Sequence, residues 1–187
     1  MVAVSMGEGF SQIFRDLTVD HIVEGGQTMN PSIEDILDAV NKVNAKCVFV
    51  FPNNGNVILA AQQAAELSSK EVYVIPTKNV AMGIAAAVAF QPDMNGEENA
   101  QRMAEAAQRV KTGTVTYAVR DSEWNGVHIN AGDIIGLHNG AIEYSGNSVH
   151  DVVMEMMKAI VTDEDELITV YYGADTKQED AEAITAE

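Results

Sequence analysis

The sequence predicts an α/β fold: a parallel sheet with flanking helices, plus a small antiparallel β-meander lobe. Three observations lead there. Short, near-continuous apolar runs alternate with helix-periodic segments over the first 90 residues or so, as expected of strands buried on both faces. After Gly113 the grammar changes to short strand-like runs separated by turn residues, Asn125-Gly126 and Asn139-Gly140 among them. Each early apolar run is followed by a loop of Gly, Asn, Pro and Thr, the composition of a carboxyl-end rim. Residues 1–112 are assigned to the parallel lobe. Residues 113–187 are assigned to the meander with its closing helix, strand and helix, the whole forming one compact two-lobe domain.

Residues 2–4 read as the first strand. Ser5 and Glu8 have the spacing of a capping box. The helix after them carries Phe10, Ile13, Phe14 and Leu17 on one face. Residues 19–23 form the second strand and 24–32, Glu-Gly-Gly-Gln-Thr-Met-Asn-Pro-Ser, the first rim loop. Ser32 with Asp35 caps the next helix, whose buried stripe is Ile33, Ile36, Leu37, Val40 and Val43. Strand 47–51 leads into Pro52-Asn53-Asn54-Gly55-Asn56, then an alanine-rich helix over 56–69 with Asn56 as its cap. Strand 72–75 leads into Pro76-Thr77-Lys78-Asn79, then an apolar helix over 80–90. The small residues Gly83, Ala85, Ala86 and Ala87 imply close packing of that helix. This repeated strand–helix order requires parallel strands joined by right-handed crossovers.

An amphipathic helix over 97–110 turns Met103, Ala106, Ala107 and Val110 inward. The meander strands are expected at 114–120, 127–129, 134–137 and 141–144. Ser148 caps a helix over 149–161 with Met154, Met157 and Ile160 toward the core. Residues 167–172 read as one more strand. Thr176 with Glu179 forms a capping box for a last acidic helix.

The chain has 187 residues, 47% hydrophobic, which suits a sizeable core. Its formal net charge is −17, from 11 Lys and Arg against 28 Asp and Glu. That field repels a phosphate backbone, so neither nucleic acid nor an anionic membrane surface is expected as a partner. No apolar run is long enough to span a bilayer, and no secretory signal is visible, so a cytoplasmic location is expected. The single cysteine, Cys47, forbids an internal disulfide and reads as a buried, inert thiol.

Catalytic patterns are weak. Gly7-Glu8-Gly9 lacks the third glycine and the following lysine of a phosphate loop. None of the four histidines, His21, His128, His138 and His150, has metal-ligand spacing to another histidine or to Cys47. The run Asp163-Glu164-Asp165-Glu166 is a solvated connection, because consecutive acids cannot all face one ion. No nucleophile–base–acid set can be read. Neither a catalytic residue nor a metal ligand is assigned. The rim loops offer Gln27, Thr28, Asn30, Ser32, Asn53, Asn54, Asn56, Thr77 and Lys78. These are neutral hydrogen-bonders with one cation. They suit recognition of a carboxylate, a phosphate or another protein's backbone, and they suit acid–base work poorly because amides and hydroxyls do not titrate near neutrality.

Four motifs in order, GGQTMNPS, FPNNGNVILAAQQAA, VIPTKNVAMGIAAAVAF and VTYAVRD, resemble the C-terminal domain of the dihydroxyacetone-kinase-like A subunit of bacterial fatty acid kinase. The resemblance runs from Val2 to about Glu182 and implies a DegV-like fold. It implies ATP and magnesium at an N-terminal domain of the parent, none in this segment, and a parent chain that continues past Glu187. The partner it implies is a DegV-family protein, the fatty-acid-binding B subunit; it also admits a homodimer. In DegV-type proteins a Thr-Ser-Gln-Pro-Ser motif and a later Ser-Gly motif hold the fatty acid carboxylate. Here Thr28, Pro31 and Ser32 match the first, while Asn54-Gly55-Asn56 lacks the serine of the second. Two readings follow: a non-catalytic domain that docks the B subunit in support of acyl phosphate formation, or a fatty acid or small-anion binding domain using Thr28, Asn54 and Lys78.

Overall fold

The structure, a computed structural model, describes residues 1–187 except Gln27, Thr28, Asn125, Asp175 and Glu187, and it leaves the Val127 side chain undescribed. The chain divides into two compact units, Met1–Val110 and Lys111–Glu187.

The first unit is built on four parallel strands: β1 (Val2–Ser5), β2 (His21–Glu24), β3 (Cys47–Phe51) and β4 (Glu71–Val74). Their order is β2-β1-β3-β4. β1 pairs with β2 from Val2 opposite His21 to Ser5 opposite Glu24, and β3 with β4 from Cys47 opposite Glu71 to Val50 opposite Val74. The helices α1 (Glu8–Asp16), α2 (Ile33–Lys42), α3 (Ile58–Leu67), α4 (Val80–Val88) and α5 (Gly96–Arg109) complete the unit. The chain steps one way from β1 to β2, then reverses over β1 to reach β3 and β4. Right-handed crossovers therefore put α1 on one face and α2 and α3 on the other. The core follows that division. Val2, Val4, Val48 and Val50 pack with Ile36, Val40, Val57 and Ala61 on the α2–α3 face. Their sequence neighbours Ala3, Phe49 and Phe51 pack with Phe14, Ala86, Met103 and Ala107 on the opposite face. This is strand alternation with both faces covered. Phe49 lies between Tyr73 and Phe90, each ring centroid 5.8 Å away.

The second unit holds a three-stranded antiparallel sheet, β5 (Gly113–Tyr117), β8 (Ile134–His138) and β9 (Ala141–Gly146), in the order β5-β8-β9. A separate hairpin joins β6 (Ser122–Trp124) to β7 (Val127–Ile129). Two helices follow, α6 (Val149–Ile160) and α7 (Gln178–Thr185). Glycines form the bed for α6. A Cβ on Gly136 or Gly146 would come within 2.9 or 2.8 Å of Val152, and one on Gly113 within 2.4 Å of the Met156 methyl.

Several local expectations are corrected. The meander is two sheets rather than one, because Ser122–Trp124 forms a strand where the sequence suggests only a turn. The buried residues of α6 are Val152, Met156 and Ile160, so the methionines at 154 and 157 sit off the buried stripe. The 167–172 segment forms no strand. Helix α1 is capped by Gly7 at φ 89° with no side-chain bond; Ser5 is buried at the end of β1, and Glu8 pairs with Arg15 at 2.7 Å instead. Helix α7 has Lys177 at its N-cap and no side-chain cap, so the Thr176–Glu179 box is absent. The caps at Ser32 and Ser148 are present. Cys47 is half-buried, and burial pushes its thiol up, with the Glu71 carboxylate adding to the rise.

Candidate functional site

All four parallel strands end on the same rim, and short contacts tie three of the following loops together. After β2, Gly25 donates its N–H to the Ser5 carbonyl at 3.2 Å, and Gly26 donates to the Met29 carbonyl at 3.0 Å. Gly25 and Gly26 have φ of 140° and 116°, which favours glycine at both positions. Gly26 also lies against the next loop: a Cβ there would contact Val4 at 3.6 Å and the Asn54 Cβ at 3.9 Å. The β3 loop joins the β4 loop through Asn53, whose N–H donates to Thr77 Oγ1 at 3.0 Å.

Asn53 holds the centre of this rim. The strand order reverses between β1 and β3, and open α/β sheets usually take ligands in the crevice at such a point. Here the Asn53 side chain fills it. Asn53 is 8% exposed, and its Nδ2 donates to the Val4 carbonyl at 2.9 Å. Its Oδ1 points at Gly83 of α4 so closely that a Cβ there would stand 2.0 Å away. Its backbone is left-handed at φ 54°, a conformation asparagine tolerates better than most residues. Asn53 Oδ1 and the neighbouring Ser5 Oγ are buried with no hydrogen-bond partner among the described residues.

The expected site residues divide by what they touch. Gln27 and Thr28 lie outside the described residues. Asn30 and Lys78 are exposed. The Ser32 hydroxyl accepts from the Asp35 N–H at 3.1 Å, and the Asp35 carboxylate accepts from the Ser32 N–H at 2.9 Å. Asn54 Oδ1 accepts the N–H of Asn56 at 2.8 Å, a local loop turn. Asn56 itself is exposed and does not cap α3; Val57 holds the N-cap position without a side-chain bond. Thr77 is fully buried, its hydroxyl accepting from Asn53. The structure thus brings Asn53, Asn54 and Thr77 together and leaves Asn30, Asn56 and Lys78 at the surface.

Four further residues shape the rim. Asn79 caps α4, accepting from the Met82 N–H at 3.0 Å; an asparagine directly before an apolar run is a legible cap signal. Gly83 makes the room that Asn53 occupies. Met6 and Met29 stand 45% and 79% exposed beside the polar tips, an apolar complement that helix and strand periodicity could not flag in loops.

The electrostatics suit recognition better than turnover. Among the described residues, no group of three or more His, Cys, Asp or Glu could hold a metal ion. At the rim the Asp35 carboxyl is held below its ordinary value, first by the Ser32 hydroxyl and then by the Ser32 N–H. That group is committed to the helix cap. The strongest shift elsewhere is Tyr73, pushed up to about 12 chiefly by its hydrogen bond to the Glu71 carboxylate, and it lies on the edge strand β4. No helix among the described residues is long and apolar enough to cross a membrane.

The profile of the FakA-like C-terminal family, the C-terminal part of the A-type chain of fatty acid kinase, matches residues 1–187. Protein YloV of Bacillus subtilis is 44% identical over 186 residues, covering 100% of this chain and 34% of the relative. An uncharacterized protein of Staphylococcus aureus, SAR1202, is 39% identical over 178 residues, covering 95% of this chain and 32% of its own. The chain therefore spans about a third of the length of these curated relatives. Among solved structures, the DegV family protein Cg2579 of Corynebacterium glutamicum aligns with a TM-score of 0.58 at 14% identity, covering 84% of this chain and 71% of that one. That likeness is one of fold.

Proposed function

This chain belongs to the FakA-like C-terminal family of fatty acid kinase, and from that premise we propose that it is a non-catalytic docking domain within the kinase's A-type chain. It seats the fatty-acid-binding B subunit while acyl phosphate forms at an ATP- and magnesium-binding domain elsewhere in the parent chain. The observation that carries this reading is the filled switch point. Asn53 occupies the crevice that an α/β sheet would otherwise offer to a small molecule, bonded to Val4 and packed on Gly83. What remains for a partner is the outer surface of the rim: Asn30, Asn56 and Lys78 as hydrogen-bonders, with Met6 and Met29 as apolar contacts. A face of amides, one ammonium and two thioethers can bind a protein backbone and adapt to its shape. It holds no group suited to proton transfer near neutrality.

Calorimetric titration of the B subunit of the same organism into this domain tests the reading. Saturable one-to-one heat is expected. Absence of binding, or a parent chain whose affinity is unchanged by deletion of these residues, would overturn it.

A second reading, the rim as a fatty acid or small-anion site, draws support from the partnerless Ser5 Oγ and Asn53 Oδ1. Native mass spectrometry after mild purification separates the two: retained lipid favours the ligand site, a bare protein mass the docking surface.

A further inference from the structure

We infer that residues 167–172 are a strand whose partner is the same segment of a second copy of this chain, paired antiparallel. The segment reads Leu-Ile-Thr-Val-Tyr-Tyr, six residues that favour strands. In the structure it belongs to no sheet, and Leu167, Ile168 and Tyr172 are 83%, 52% and 52% exposed. A run of this composition at the surface is a template for another strand.

Both ends of the segment are already held. Before it, Lys111 Nζ donates to the Asp165 carboxylate at 2.7 Å and to Thr162 Oγ1 at 3.0 Å, while that carboxylate accepts the Thr162 N–H at 2.8 Å. After it, α7 buries Ala181 and touches α6. Pairing therefore orders six residues that are tethered in advance, which lowers its entropic cost.

The sequence is self-complementary about an axis between Thr169 and Val170. That register sets Leu167 opposite Tyr172 of the second copy, twice, and Thr169 opposite Val170, twice. Aromatic–aliphatic and β-branched cross-strand pairs are among the stabilising ones. Charge selects the same orientation. Parallel pairing would stack the four acids of 163–166 on their own copies. Antiparallel pairing sets them beside 173–177 of the second copy, which carries one acid and Lys177. A two-fold pair of this kind is an isologous contact. The rim belongs to the first unit and this segment to the second, so the docking proposal and this one fail independently.

Sedimentation velocity on the 187-residue protein over a wide concentration range is the test. A concentration-dependent dimer is expected, tightening as salt screens the −17 net charge of each copy. Val170→Lys and Thr169→Pro should each weaken it at least tenfold with the far-ultraviolet circular dichroism unchanged. Val119→Lys, at a residue 93% exposed outside the segment, should leave it intact. Amide exchange at 167–172 in the unmutated protein should slow as concentration rises, a readout that needs no variant to fold. A monomer at every concentration, a dimer indifferent to Val170→Lys, or growth beyond the dimer would each overturn the inference. The monomer would point instead to a strand from another polypeptide segment.

Discussion

Asn53 donates its side-chain amide to the carbonyl of Val4 at 2.9 Å, across 49 residues of sequence. That bond closes the space between the two central strands, and the rim is arranged around it. Replacing Asn53 by Ala leaves a buried carbonyl unpaired and puts a Cβ-bearing residue without a local polar group at φ 54°. A loss of about 2–4 kcal/mol is expected from these two effects together. Urea denaturation followed by circular dichroism measures it.

Gly83→Ala should also destabilise, although alanine is the better helix former. The new methyl would stand 2.0 Å from Asn53 Oδ1, and over-packing of this kind costs about 1–3 kcal/mol. The two positions are coupled. With Asn53→Gly in the background the clash disappears, and Gly83→Ala should become neutral or stabilising. A double-mutant cycle in urea gives the coupling directly; additivity would show that the side chain does not fill the space beside α4.

Lys70 Nζ donates to the carbonyls of Val40, Asn41 and Val43 at the end of α2. A cation in that position satisfies orphan carbonyls and opposes the negative end of the helix. Lys70→Met keeps the stem and removes the bonds. A loss of about 1–2 kcal/mol is expected on denaturation, with amide exchange accelerated in the last turn of α2.

Two ionisations act at opposite ends of the pH range. The folded state lowers the Asp35 pKa, so its contribution is present above the ordinary carboxylate value of about 4 and is lost as pH falls through the folded value. Acid should fray the first turn of α2, and Ser32→Ala should return the Asp35 titration toward the ordinary range in a carboxyl-resolved NMR experiment. Tyr73 is the reverse case, its pKa raised to about 12. Its contribution is present below about pH 10 and is lost as pH rises toward 12. Tyrosinate absorbance should show one late-titrating residue that Glu71→Gln brings earlier.

Much of the first unit is legible in the sequence because its strands obey two constraints at once. Val2, Val4, Val48 and Val50 face one side, and Ala3, Phe49 and Phe51 the other, so their apolar runs allow little but buried parallel strands. The helix caps at Ser32 and Ser148 are legible because a local bond fixes them. What escapes depends on tertiary contact. Asn53 reads as a recognition residue, because nothing in Pro52-Asn53-Asn54 says that its amide turns inward to Val4. Ser5 reads as a cap, but burial at the end of β1 withdraws it. Residues 167–172 read as a strand on propensity, yet a strand needs a partner, and propensity names none.

The most direct measurement is hydrogen exchange across this domain with and without the fatty-acid-binding B subunit. The docking account expects slowed exchange at residues 25–32, 53–57 and 76–80, the loops above the carboxyl ends of the strands. Protection confined to residues 111–186, or none anywhere at saturating partner, would contradict it.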